Sequence, residues 1–342
     1  MKKSLLTLLC FVCACSAIYA QWGLGKVSEL QEAKNRTLIV MLESESPGML
    51  KKLEKEGNAD LRPRYKQVLD EYNENIQQVA KSCWTFNDKI EFKTADEIDK
   101  LRSEKNKSYV VLLCYTMKNA AVTTMQNFGL DYSITDLLKP DDKKSGLGEI
   151  VIMKINLIED INKEIPLYYV GLPNIFPKKA DLQWGMETIH WYFNARLANA
   201  KAKDIREMYQ INSSKLAGMT LLIREKDLDE ELKPAAIKKI YPYPYKVVNQ
   251  ETFDSIILNH SDGYAYVINS ASMEQGGGSV VRLNQYITHA KDGIPYALVK
   301  PSGSSNFGAG MLSSYGISSS AGSNTIDERI FTEIVRQIKG EK

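Results

Sequence analysis

The chain has 342 residues, a formal net charge of +2, 44% hydrophobic and 25% charged residues. That is an ordinary globular composition, with material for one or two cores. The near balance of charge gives no reason to expect nucleic acid as a partner.

The chain opens "MKKSLLTLLCFVCACSAIYAQ". A basic start (Lys2, Lys3), an apolar run over residues 5–17 and small residues before Gln21 have the layout of a secretory signal peptide, assigned to residues 1–20. The apolar run is shorter than the roughly 20 residues of a membrane span, and no later segment reaches that length. Three of the five cysteines, Cys10, Cys13 and Cys15, lie in this leader. Their C-x-x-C spacing is therefore not taken as a metal or redox motif. "VCAC" also permits a lipobox reading with a lipid anchor on Cys15, but Cys13 stands where that pattern has a small or hydroxyl residue, so simple cleavage before Gln21 is preferred. Export to the periplasm, or to the outer surface of a Gram-negative envelope, is the expected location.

From residue 21 the chain spells one order of elements twice. "RTLIVML" returns as "MTLLI", and "CWTFNDKIEFKTADEIDKL" returns as "YPYPYKVVNQETFDSIIL". "SYVVLLCY" then matches "GYAYVINS", "EIVIMKINLI" matches "SVVRLNQYIT", and "IPLYYVGLP" matches "IPYALVKP". Each copy ends in a helix. The expected fold class is α/β, with a mixed sheet in each half and a tandem duplication of a strand, helix, strand, helix, three-strand, helix module. The first module is placed at 21–212 and the second at 213–342.

Within the first module, Tyr65, Val68, Tyr72, Ile76 and Val79 recur at helical spacing, so a long inserted helix there buries one face. The alternative for it is an exposed partner-binding helix. Thr94 and Glu97 have capping-box spacing, as do Thr325 and Glu328 at the last helix. Extra residues over 117–148 end in a solvated loop. A further helix carrying Leu182, Met186, Ile189, Phe193 and Leu197 is expected to bridge the halves. Cys83 and Cys114 both sit in apolar surroundings; two free buried thiols are preferred over a disulfide.

In the second module, "YPYPYKVV" places Tyr241, Tyr243 and Tyr245 in alternation. They form either an aromatic strip for a sugar, peptide or protein, or rings packed on a neighbouring helix. The second is favoured, because the first copy has "CWTFN" at this place. "KPSGSSNFGAGMLSSYGISSSAGSN", residues 300–324, is rich in glycine and hydroxyls, yet its spacing fits neither phosphate-loop pattern. The matching connection of the first copy has almost no glycine, so the fold does not require it. A flexible surface loop is the first reading and a ligand-closing lid the second. Phe307, Met311 and Tyr315 are the residues through which it would meet a partner.

His190, His260 and His289 are the only histidines. None has zinc-motif spacing, so no metal or cofactor is expected and all three are read as structural. There is no G-x-S-x-G elbow, and the carboxylates alternate with lysines as on solvated helix faces. No catalytic residue is nominated. These observations lead to an exported, non-enzymatic binding or scaffold protein whose partner is a protein or an envelope component. The alternative is a hydrolase or small-ligand enzyme with its site in the cleft between the modules, covered by loop 300–324.

Overall fold

The structure is a computed structural model that describes residues 24–55, 57–118, 129–138, 144–145, 149–163, 165–274, 279–300, 305–307 and 325–341. After helix α1 (Val27–Lys34), the first module runs β1 (Thr37–Leu42), α2 (Pro47–Lys55), α3 (Arg62–Cys83), β2 (Ile90–Thr94), α4 (Ala95–Ser103), β3 (Tyr109–Lys118), α5 (Ile134–Leu138), β4 (Glu149–Leu157), β5 (Tyr168–Leu172) and α6 (Lys179–Leu197). Helix α7 (Ala202–Ser213) leads to the second: β6 (Thr220–Arg224), α8 (Pro234–Ile240), β7 (Tyr245–Val248), α9 (Gln250–Leu258), β8 (Tyr264–Glu274), β9 (Ser279–His289), β10 (Pro295–Val299), β11 (Ser305–Phe307) and α10 (Glu328–Ile338).

The duplication is present in the topology. The first sheet has the order β2-β1-β3-β4-β5 and the second β7-β6-β8-β9-β10, with β11 added beside β9. In each, the first strand pairs parallel to the next two, and the last three form antiparallel pairs. Even the hydrogen bonds that open the strands coincide. The Thr37 amide donates to Ser108 and the Leu38 amide to Lys89, while Thr220 donates to Gly263 and Leu221 to Pro244. The inner helices α4 and α9 also end alike, in Lys105 and His260, each with a left-handed backbone (φ 55° and 49°). A close geometric repeat thus survives under two sequences that share few residues.

The modules are stacked through α6. Most helices here bury one stripe: α3 buries Tyr65, Val68, Leu69, Tyr72, Ile76, Val79 and Ala80, and α10 buries Ile330, Phe331, Ile334, Val335 and Ile338. Helix α6 is buried almost all round, from Ala180 to Phe193, as a helix must be when packed on several sides. It joins the inner face of the first sheet to Leu222, Phe253, Tyr266 and Tyr286 of the second module in one core. Trp184 anchors the joint, its indole N–H donating to Thr288 at 3.2 Å. Helix α7 packs on β10 and α10.

The modules also touch through strands. β8 and β9 run on past their neighbours as an arm, and Ala271 and Leu283 of that arm join the outer cluster of the first sheet, beside Ile39, Val111 and Ile152. Where β8 passes β5, the backbones are close. A Cβ on Gly171 would lie 2.3 Å from the Ala271 carbonyl oxygen, so only glycine fits that crossing.

Two local expectations need comment. The Thr94–Glu97 capping box is formed, with the Thr94 amide donating to Glu97 Oε2 at 2.8 Å. The second is corrected: α10 is capped by Asp327, which accepts from the Ile330 amide at 3.1 Å, rather than by Thr325. Ile326 donates to the Asp227 carbonyl and accepts from the Asp229 amide. That pairing keeps the chain extended and delays the helix start. Cys83 and Cys114 are free thiols, Cys114 fully buried on β3.

Candidate functional site

Two hollows that meet at Ser82 form a groove along the seam between α6 and α9. One long face of α6 supplies Lys179, Gln183, Glu187, His190 and Asn194, a helical progression along its floor. The end of α3, Ser82 and Cys83, forms one rim, and Gln250, Asp254 and Ser255 of α9 form the other. At the far end, His260 from the turn after α9 and Asp292 from the β9–β10 turn close it. The groove therefore needs both modules: the first gives the α6 floor and the α3 rim, the second the α9 rim and the closing end.

Its two ends differ in chemistry. At the α9 N-terminal end lies a buried charge network. Arg224 Nε donates to Asp227 Oδ2 at 2.7 Å, Lys144 Nζ reaches Asp227 Oδ1 at 2.8 Å, and the Arg224 guanidinium also contacts Gln250, which in turn donates to Asp254 at 2.7 Å. Arg224 and Asp227 are within 1% of full burial. Asp181, in the first turn of α6, accepts from Asn174 at 2.7 Å and from the Lys178 amide at 2.9 Å. Burial raises its carboxyl, and nearby Arg224 opposes that. Burial likewise lifts Asp254 to about 6 and lowers Lys226. Lys144 and Asp181 come from the first module and Arg224 and Asp227 from the second, so the network also holds the seam together.

At the other end, Glu187 is inserted against Gly293, where a Cβ would fall 2.3 Å from Glu187 Oε2. Its Oε1 accepts no hydrogen bond among the described residues and lies 3.5 Å from His260 Nε2. Desolvation pushes the Glu187 carboxyl up to about 8, opposed by a hydrogen bond from Gln183 and reinforced by Asp292. His260 is fixed on both sides, by Gln183 Nε2 at 3.3 Å and the Lys291 carbonyl at 3.2 Å. His190 packs against Trp84 and Phe86 and lies 3.5 Å from Thr85 Oγ1; burial lowers its pKa. The Cys83 thiol is pushed up to about 12 by burial, with Glu187 next. An activated cysteine needs the opposite shift.

The residues nominated from sequence lie elsewhere. Tyr241 is a core side chain, 1% exposed, its ring 5.4 Å from Tyr243 and 5.9 Å from Phe331 of α10. Tyr243 and Tyr245 are half-buried beside it, and the Tyr245 hydroxyl donates to Pro234. Phe307 lies on β11, opposite Ser279 of β9. Met311 and Tyr315 fall outside the described residues. The groove residues escaped the sequence reading because their only signal, polar side chains on a helix read as a core bridge, is also that of a solvated face. Among the described residues no cluster of histidine, cysteine and carboxylates has metal-binding geometry, and no helix is long and apolar enough to cross a membrane.

Comparison with protein-family models, with curated proteins and with solved structures finds no match for the chain.

Proposed function

We propose that the protein is an exported binding or scaffold protein of a Gram-negative envelope, and that it holds a protein or envelope component in the groove between its modules. The observation that carries this reading is the groove's dual origin. Its floor comes from the first module and one wall and one end from the second, so a bound partner would touch and stabilise both. Duplication then supplies a second surface facing the first. Half-buried Tyr243 and Tyr245, with Phe307, Met311 and Tyr315, are proposed as further contacts of the same partner.

The test is capture from envelope extract by the mature chain and by Ser255→Trp, which fills the groove from an exposed position. Partner recovery with the wild type and its loss with the variant are expected. Equal recovery by both would remove the groove from the account. Intact-mass measurement of the exported form, expected to begin at Gln21 without lipid on Cys15, tests the location.

A second reading, a hydrolase or small-ligand enzyme using the same cleft, draws on the convergence of Cys83, Glu187, His190 and His260 there. Turnover on ester, amide or glycoside substrates that disappears in Glu187→Gln would favour it over binding alone.

A further inference from the structure

The Glu187 end of the groove has a narrower chemistry than the rest. The Glu187 side chain lines the groove and is 9% exposed; Gln183 hydrogen-bonds its carboxyl, but its Oε1 makes no hydrogen bond among the described residues, with His260 Nε2 3.5 Å away. A buried acceptor of this kind is costly until something donates to it. Asp292, which His289 Nδ1 approaches at 2.9 Å, adds a second carboxylate from a different element. The basic residue next to Asp292 does not neutralise Glu187: Lys291 is paired with Asp262 at 2.6 Å. Beside the carboxylates, Trp191 and Ile294 line the same end with apolar surface.

We propose, building on the reading of the groove as the binding site, that this end takes a primary ammonium group on an alkyl stem, the chemistry of a lysine side chain. The stem lies along Trp191 and Ile294, and the ammonium donates to Glu187 with Asp292 behind it. An indole face adds attraction for a cation. Acceptors that arrive from separate elements suit a compact charge with three diverging donors better than the planar fork of a guanidinium.

The pairing has a proton signature. Burial holds the Glu187 carboxyl at about 8, so an arriving cation displaces its proton at neutral pH. The titratable groups around it are Cys83 from α3, His190 from α6, Tyr266 from β8, His260 from the turn after α9 and Asp292 from the β9–β10 turn, the last paired with His289.

Calorimetric titration of the mature chain at pH 7, in buffers of different ionisation enthalpy, tests this with three probes: n-butylamine, the peptide acetyl-Gly-Gly-Lys-Gly-Gly-amide, and its Nε-acetyl-lysine twin. The lysine peptide is expected to bind at least tenfold more tightly than the twin, with net proton release. Glu187→Gln should abolish both the preference and the release, and Trp191→Leu should weaken the preference while leaving the release. Butylamine binding as tightly as the peptide assigns the site to a small free amine; peptide binding alone assigns it to a chain-borne lysine. Equal affinity for the two peptides, absence of binding by all three, or a preference unaffected by Glu187→Gln overturns the proposal. If envelope capture depends on Ser255 while the amine probes fail, the groove reading stands and only the ammonium assignment falls.

Discussion

Gly171→Ala tests how the modules are joined. At this residue β5 passes under β8, and the added Cβ would sit 2.3 Å from the Ala271 carbonyl oxygen and 2.7 Å from its amide nitrogen. Both atoms are backbone, in a strand fixed on its other side by β9 through the Ala271–Leu283 pair. No rotamer change relieves the overlap; two strands must separate. Overpacking of this kind costs about 1–3 kcal/mol, and the rigid neighbours place Gly171→Ala near the upper end. With an unfolding entropy near 2.1 cal/mol/K per residue, a loss of about 3 kcal/mol lowers Tm by roughly 4 °C in a chain of this length. The control is Gly185→Ala in α6. Its Cβ would meet the Leu172 Cδ2 at 3.0 Å and the Met153 sulfur at 3.1 Å, the far ends of adaptable side chains. Alanine also gains about 1 kcal/mol of helix propensity over glycine, so this change is expected to stay within ~1 kcal/mol of wild type. Thermal unfolding followed by circular dichroism separates the two. If Gly171→Ala melts with the wild type, the strand crossing is not the close contact described, and the seam rests on α6 alone.

Three further outcomes follow from the same geometry. Asp227→Ala leaves Arg224 buried without its carboxylate and is expected to cost about 3–5 kcal/mol, measured by urea unfolding; a loss below 1 kcal/mol would mean that water reaches the network. Asp327→Ala removes the α10 cap at a cost of about 1 kcal/mol, more than Thr325→Ala, and the reverse order would restore Thr325 as the cap. Glu187 has a folded-state pKa raised to about 8, above the unfolded carboxylate value of about 4.3. Its favourable contribution is therefore complete in acid and lost as pH rises through that window. Relative to wild type, Glu187→Gln should gain stability between about pH 4.5 and pH 8, and a difference that stays flat in melts across that range would contradict the burial argument.

The sequence pattern made the repeated module legible because each strand carries a short β-branched or aromatic run, and each inner helix a polar cap followed by an apolar stripe. Thr37 and Thr220 open corresponding strands, and Thr94 and Asn249 cap corresponding helices. Only part of how the halves meet was legible. The stripe of α6 marks it as a bridge between the halves, but does not say which residues of the second module it meets. Nothing local marks Gly171 as a crossing or the ends of β8 and β9 as an arm, because these depend on contacts between residues a hundred positions apart. The same limit hid the groove. Gln183, Glu187 and His190 share a face only if α6 is one continuous helix, and they become a site only when His260 and Asp292 arrive from the other module. Strand β11 was hidden for a related reason: its glycine- and serine-rich surroundings carry no strand period, and its order comes from pairing with β9.

Site-specific photocrosslinking in the exported protein tests the groove most directly. A photoreactive phenylalanine analogue replaces Ser255 on the groove wall or, as the control, Lys66 on the exposed face of α3. The account predicts an adduct with a single envelope component from position 255 that is lost when the groove is occupied by that component in excess, and none from position 66. Adducts of the same kind from both positions, or from position 66 alone, would contradict it.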